Sequence, residues 1–509
     1  MMNSVAYFNR LRAVFDSFRA ALIDPASAER TVLLSLAFYA VLWTIYGTIA
    51  KGSQGLHADM TELIAWSRDL SLGYLKHPPL AAWIVRLWFG IFPLTESSYY
   101  LLAMLMPAIT LWIVWRLSAD YLTIEKRIAG LVLLMLIPFF NFHALKFNVN
   151  TVLMPVWAAT TLWFLRSYQT RSRVYAALAG VGAAACMLGK YWSVFLLAGL
   201  ALAALIDERR AVYFRSAAPW TTIVVGLVVL APHLVWLVQH DFAPFGYAMT
   251  IHGEKPFGAA LVSVLGYLAG SVGYVAIPIV IVLVAARPGR TTLADMIWPA
   301  ERERRLAAAA FWAPLLLPVL GAVASGTLIT SLWSMPAWTL LPVLLLSGPS
   351  VTITAADTRR LLMAAIAVPL VMLIAAPVIA IMVQRSGPAP AAAHARLLAE
   401  QIEQAWRAAT SQPLRFVGGD SEIAYSVVTY AGDRPRALPE MAPPGDAELA
   451  QSGMALVCFA EDFGCSRAAA ARALQTAGGP TIESEIARDF LGISGKPQRY
   501  VIVIVPPRR

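Results

Sequence analysis

The sequence predicts a polytopic α-helical membrane protein with a small α/β domain at its C-terminal end. Three observations predict it. Of the 509 residues, 59% are hydrophobic and 14% charged, with a mean hydropathy of +0.64; soluble domains are about a quarter charged. Apolar windows of ~18 residues or more, long enough to cross the hydrocarbon layer as helices, recur through the first 384 positions. After residue 385 the hydropathy changes, and short apolar runs follow one another between polar stretches. A membrane β-barrel would need short alternating segments throughout, and the chain has none.

Taken in order, residues 1–30 read as an amphipathic interfacial segment, with Arg10, Arg12, Arg19 and Arg30 set among Phe and Leu. The first apolar run, from Thr31, is long and lacks a small-residue cleavage pattern, so it is expected to be a span and not a cleaved signal. Spans are expected near 31–50, 98–116, 128–143, 151–166, 174–189, 191–206, 218–238, 258–285, 307–325, 328–347 and 361–383, about eleven in all. Residues 31–384 thus form a membrane domain, with a first outer loop over 51–97.

The net charge of +10 follows the same plan. Basic residues gather in short loops between alternate spans, as in Arg166, Arg171 and Arg173, or Arg302, Arg304 and Arg305. That is the pattern that sets topology and contacts anionic lipids, so nucleic acid is excluded as a partner. With those loops in the cytoplasm and an odd number of spans, the N-terminus is cytoplasmic. Loop 51–97, segments 141–150 and 239–257, and everything after 385 then share the opposite side.

"RSGPAPAA", 385–392, reads as a linker. Beyond it, 385–509 is expected to fold as an α/β domain, with helices over 393–410, 420–429 and 465–477 and strands in "LRFVGG", "ALVCFA" and "YVIVIVPP". Of the 3 cysteines, Cys186 sits in an apolar run as a core filler; Cys458 and Cys465 pair if their domain faces an oxidising compartment.

The ionisable residues concentrate in the first loop, "HADMTELIAWSRDLSLGYLKHPPLAAWIV", 57–85. Asp59 and Glu62, three apart, share a helix face, with Trp66 one turn on. This helix stops near Gly73, and a second starts after Pro79 with Trp83 and Trp88 as interfacial anchors. Two helices lying on the membrane would frame a cavity at the lipid–water boundary. Outer-side cations are Lys76, Arg86, Lys146, Lys190 and Lys255.

In this loop, in "LGKYWSVFLL" (188–197), in "APHLVWLVQHDFAPFGY" (231–247) and in "FVGGDSEIAYSVVTYAGDRPRA" (416–437), the chain resembles bacterial glycosyltransferases of the GT-C superfamily. The resemblance is to the group of protein mannosyltransferases, the aminoarabinose transferase acting on lipid A, and rhizobial galacturonosyltransferases. The segments occur in family order over most of the chain. The resemblance implies transfer of a sugar, with inversion, from a polyprenyl phosphate carrier to an acceptor hydroxyl on the periplasmic face of the bacterial inner membrane. The acceptor class is open: lipid A, another glycolipid, a glycan or a protein. Asp59 aligns with the family's catalytic acid position. The usual following Glu is replaced by Met60, with Glu62 two places on, and an acidic position at the start of the fourth span is Asn150.

The chemistry suits such residues. A carboxylate near the anomeric carbon can take the acceptor's proton, and the departing lipid phosphate needs only positive charge. Asp59 and Glu62 are the candidate catalytic residues. Lys76, His77, Lys146, Lys190, His240 and Asp241 are the candidates for holding the carrier phosphate or substrate. A divalent metal on Asp59 or Glu62 with His77 is the alternative source of charge, without a recognised ligand spacing; no nucleotide cofactor is expected.

Plainer readings stand beside these. Asp59 would be the N-cap of the loop helix, and Glu62 part of an exposed helix face. Arg68 and Asp69 would be solvated or touch head groups. Lys146 and Lys190 would snorkel to head groups, His233 would be a satisfied buried histidine, and Trp333 and Trp338 would belong to the interfacial belt. The rival function is a transporter or flippase for a lipid-linked sugar. Transporters show paired repeats and polar sites near the midplane, whereas these charges gather on one surface.

Overall fold

The computed structural model describes residues 2–253, 255–387, 390–438, 444–474 and 479–508. The side chains of residues 2–12, and with them Arg10 and Arg12, lie outside the described residues, as does part of the expected linker at 385–392. The chain forms two compact units, one of residues 1–44, 76–80 and 101–371, the other of 45–75, 81–100 and 372–509.

Among the described residues, six helices are long and apolar enough to cross a membrane: Ala28–Ala50, Glu96–Ser118, Ala218–Gln239, Phe257–Ala286, Arg302–Ser325 and Ala355–Ser386. The other five apolar segments are helical but shorter, broken or more polar. Ile124–Met135 stops because Pro138 pushes Ile137 into extended backbone (φ −77°, ψ 129°), and a 3-10 turn, Pro138–Phe140, follows. Ser331–Leu340 is 3-10 and only Leu341–Leu346 is α-helical, with Pro336 and Pro342 in the run. Val149–Thr170 has 22 residues but carries Thr160, Thr161, Arg166 and Ser167. Arg173–Gly189 and Tyr191–Ile206 are shorter apolar helical stretches.

Small residues set the packing within the first unit. A Cβ on Gly180 would lie 2.6 Å from the Thr222 carbonyl oxygen, so Arg173–Gly189 and Ala218–Gln239 meet backbone to backbone there. Beside that contact a 330 Å³ apolar cavity opens, lined by residues such as Phe164, Ala183, Leu200, Phe214 and Leu227.

The second unit holds a five-stranded sheet, in the order β2-β1-β3-β7-β4. Its strands are β1 (Phe416–Gly419), β2 (Arg436–Ala437), β3 (Met454–Phe459), β4 (Thr481–Ile486) and β7 (Gln498–Val505); β5 (Asp489–Phe490) and β6 (Ile493–Ser494) make a separate hairpin. β1 runs parallel to β2 and β3, while β7 is antiparallel to β3 and β4. Successive side chains of a strand point to opposite faces. One face of β3 and β7, with Ala455, Val457, Ile502 and Ile504, packs under Ile402 and Trp406 of helix Ala395–Ala409 and Ile423 and Val427 of helix Ser421–Tyr430. The other, with Leu456, Cys458, Val503 and Val505, packs on Ala469 and Ala473 of helix Phe463–Leu474. Both faces are covered, which is why "YVIVIVPP" is continuously apolar. A disulfide joins Cys458 on β3 to Cys465 on that helix, while Cys186 is free and buried.

Candidate functional site

The second unit contains the carboxylate-bearing helix, Ala58–Arg68. Its N-cap is His57, in extended backbone, whose Nδ1 accepts from the Asp59 backbone N–H at 3.1 Å. The cap reading of Asp59 is therefore corrected. With its orphan N–H already met by His57, the Asp59 carboxylate sits in the helix's first turn without a capping duty. There the unsatisfied N–H groups favour negative charge. The carboxylate is 39% exposed and lies 3.7 Å from His57 Nδ1.

Glu62 is only 9% exposed, so the expectation of an exposed helix face at Glu62 is also corrected. The side of the helix bearing Met60, Thr61, Leu63 and Ile64 is buried as well, because protein covers it. The Thr61 and Ser426 hydroxyls lie 3.4 Å apart, Tyr99 donates from its hydroxyl to the Met60 carbonyl at 3.2 Å, and Trp66 stacks on Tyr74 with ring centroids 5.0 Å apart and meets Tyr425 edge-on.

Arg68 is not solvated. Its guanidinium donates to the carbonyls of Val428 and Pro435, both at 2.7 Å, and neighbouring Asp69 pairs with Arg436 at 3.4 Å. The helix stops at Arg68, five residues before the expected Gly73, because Asp69 is extended (φ −111°, ψ 104°). Replacing Arg68 with Ala leaves two carbonyls without their donor, so stability should fall by about 2 kcal/mol. Thermal unfolding of the detergent-solubilised chain reads this directly.

The first unit gathers cations and aromatics. Lys190 closes helix Arg173–Gly189, and it is 9% exposed. Its ammonium donates to Asn150 Oδ1 at 2.9 Å and lies 4.6 Å from the centre of the Trp333 ring. Asn150 is held by the start of helix Val149–Thr170, where Asn148 and Thr151 form a reciprocal capping box. The Lys190–Asn150 contact joins residues 40 apart, and the pattern of either segment alone could not disclose it. Trp333 also meets Trp192 at 4.9 Å and His252 at 5.2 Å, both edge-on. Backbone bonds from Leu328 to His252 and from Lys255 to Gly326 tie the two loops together.

Burial, followed by the charges of Lys190 and Lys255, pushes the His252 ring below its ordinary pKa of 6.5. As pH falls, the unfolded chain takes this proton before the folded one. The stability linked to the neutral ring is complete above 6.5 and is lost as pH falls through the lower folded value. Acidification from about pH 7.5 to about 5.5 should lower the melting temperature of the native chain more than that of His252→Gln.

The remaining candidates are placed separately. Lys76 lies 5.9 Å from the centre of the Tyr247 ring, and His77 is half-buried in the same turn. Lys146 neighbours His143, whose ring packs on Phe139 and Tyr274. His240 ends helix Ala218–Gln239, with Nδ1 2.8 Å from the Trp236 carbonyl and its ring stacked on Trp236. Asp241 follows in a left-handed, exposed turn (φ 49°). No described contact brings His240 or Asp241 to Lys190. His233 is buried and 3.2 Å from the Tyr191 hydroxyl, as a satisfied histidine should be. Among the described residues, no three His, Cys, Asp or Glu side chains converge as metal ligands.

Comparison with known proteins shows what the chain is similar to. The family model of dolichyl-phosphate-mannose-protein mannosyltransferases matches residues 76–236. That segment includes Lys76, His77, Lys146 and Lys190 and begins after Asp59 and Glu62. The crystal structure of ArnT from Cupriavidus metallidurans bound to undecaprenyl phosphate superposes with a TM-score of 0.57 at 13% identity, covering 95% of this chain and 100% of that one. The same protein in the apo state gives 0.59 at 13% identity, covering 94% and 99%. In fold, the chain is similar to this glycosyltransferase over nearly its whole length.

Among curated proteins, the chain is 25% identical over 260 residues to the lipid A galacturonosyltransferase RgtD of Rhizobium johnstonii, covering 49% of this chain and 52% of that protein. It is 28% identical over 248 residues to the lipopolysaccharide core galacturonosyltransferase RgtB of the same organism, covering 48% and 49%. It is 25% identical over 337 residues to RgtA, another core galacturonosyltransferase, covering 62% and 64%. The matches thus span about half to two thirds of these relatives' lengths.

Proposed function

We propose that the chain transfers a sugar from a polyprenyl phosphate carrier to a hydroxyl of lipid A or of the lipopolysaccharide core, on the periplasmic face of the inner membrane. The observation that carries this reading is the seat of Lys190. A nearly buried ammonium, fixed by an amide oxygen and an aromatic face, lies within the segment matched by the mannosyltransferase family model. The fold's match to a structure titled as bound to undecaprenyl phosphate and the lipid A and core specificity in the relatives' names support the donor and acceptor classes.

Asp59 acts as the base. Its carboxylate takes the proton of the acceptor hydroxyl, and the hydroxyl oxygen attacks the anomeric carbon on the face opposite the phosphate. The bond from that carbon to the phosphate oxygen breaks, its electron pair leaves with polyprenyl phosphate, and the configuration inverts. Lys190, with Lys76, balances the charge gathering on the leaving phosphate. Part of the carrier's hydrocarbon chain fits the apolar cavity between Phe164 and Leu227. Incubating the purified chain with undecaprenyl phosphate-linked sugar and lipid A should raise the acceptor mass by one sugar; an unaltered acceptor with every such donor overturns the reading.

A further inference from the structure

The hairpin of β5 and β6 takes no part in that chemistry, and its turn departs from the usual rules twice. Asp489 pairs with Ser494 and Phe490 with Ile493, which leaves Leu491 and Gly492 as a two-residue turn. Both are left-handed, at φ 52° and 75°. Such turns favour Asn, Asp or Gly, because other side chains crowd the backbone there. Gly492 fits this demand and Leu491 does not. Leu491 is also 75% exposed, so an apolar side chain projects from the protein at a position where it strains its own backbone.

The ends of two spanning helices fix the hairpin's place. Gln384, in the last turn of helix Ala355–Ser386, is buried and donates from Nε2 to the Arg488 carbonyl at 2.7 Å and to the Ile493 carbonyl at 3.0 Å. The Arg488 guanidinium donates to the Gly52 carbonyl at 2.9 Å, just past the end of helix Ala28–Ala50. A Cβ on Gly52 would lie 3.5 Å from the Phe490 ring. The hairpin is thus tied to both helix ends, which mark one membrane boundary. Gln384 is the first polar side chain after the apolar run from Leu361 to Val383, so it stands at the edge of the hydrocarbon layer. Val378 and Met382, 59% and 63% exposed, carry the apolar outer surface of that helix up to this level.

Leu491 is joined to Phe490 and lies two residues from Ile493, a reach of roughly 7 Å at most. The head-group layer outside the hydrocarbon is roughly 5 to 7 Å deep, so the tip stays within about that depth of the boundary. Arg385, beside Gln384, and Lys496, beyond β6, are exposed cations of the kind that sit among lipid phosphates. We infer that Leu491 inserts into the membrane interface and gives the C-terminal α/β domain a second anchor there, besides helix Ala355–Ser386. A lipid surface answers both departures: the leucine leaves water, and its burial offsets the cost of the left-handed backbone. Lipid is favoured over a second copy of the chain because the tip is held at the ends of two spanning helices. This anchor is independent of the transferase reading.

The test places the full chain in phospholipid nanodiscs with Leu491→Cys carrying an environment-sensitive fluorophore. Cys186 is buried and Cys458 is bonded to Cys465, so the native chain treated alike gives the labelling background. Blue-shifted emission, quenched by lipids spin-labelled at the head group or upper acyl chain, is expected. Emission typical of water, without quenching, overturns the inference. Blue-shifted emission that lipid-borne quenchers leave untouched assigns the turn to a protein contact and overturns it as well. Leu491→Asn supplies the second readout, because Asn accepts the left-handed backbone and the hairpin can still form. In nanodiscs, amide hydrogen exchange over residues 488–495 should become about fivefold faster or more in this variant, as the anchor is lost. Exchange that is unchanged or slower is the result of relieving a strained turn in water, and it contradicts the anchor.

Discussion

Asp59→Asn should abolish sugar transfer while leaving the chain folded. The substitution keeps the size and polarity of the side chain and removes its ability to take a proton. A positioned general base contributes roughly 10² to 10⁴ in rate, so kcat should fall by about a thousandfold, with the donor KM little changed. The fold should survive because Asp59 makes no capping bond: His57 meets the helix N-terminus, and the buried side with Thr61 and Leu63 is untouched. The parallel change at Glu62 would read differently. That residue is buried, and Glu62→Gln should be judged by melting temperature alongside turnover, to separate a structural loss from a catalytic one.

Lys190→Ala should produce the second large effect. The leaving phosphate gains charge as its bond to the sugar breaks, and a fixed donor aimed at such charge is worth about 10² to 10³ in rate. Transfer should fall by that order, and inhibition by undecaprenyl phosphate should weaken in parallel. Lys190→Arg should recover part of the loss, because it restores charge without the original reach to Asn150 Oδ1 and the Trp333 face. A loss of melting temperature with unchanged product inhibition would instead make Lys190 a packing residue.

Much of this fold was legible in the sequence, and the exceptions have physical causes. Long apolar runs announced the spanning helices, since crossing a bilayer demands length and apolarity that little else does. The strands β1, β3 and β7 announced themselves because the sheet is covered on both faces and their runs are apolar throughout. Strand β4, "TIESEI", did not: its residues are largely exposed and polar, and the pattern of a half-solvated edge strand is faint. Pro138, Pro336 and Pro342 stand inside apolar runs, so hydropathy alone reads each run as one continuous span, although the helix is interrupted there.

The site was legible residue by residue and hidden as an arrangement. Asp59, Glu62 and Lys190 stood out as ionisable groups in apolar surroundings. What each touches depends on tertiary contacts: Asn150 for Lys190, and the carbonyls of Val428 and Pro435 for Arg68. The substitution of Asn150 for an acidic residue takes a role in this light. An amide at that position accepts from the Lys190 ammonium at 2.9 Å and carries no charge of its own. Arg396 and Arg488 are about 300 residues or more from Lys51 and Glu96 in sequence, and only the fold brings the four together.

The most direct test is mass spectrometry of the envelope glycolipids from cells that lack the chain, carry it, or carry Asp59→Asn. The account predicts a lipid A or core species heavier by one sugar in cells with the native chain, and its absence from the other two. The same sugar-bearing species in the Asp59→Asn cells, at the native level, would contradict it.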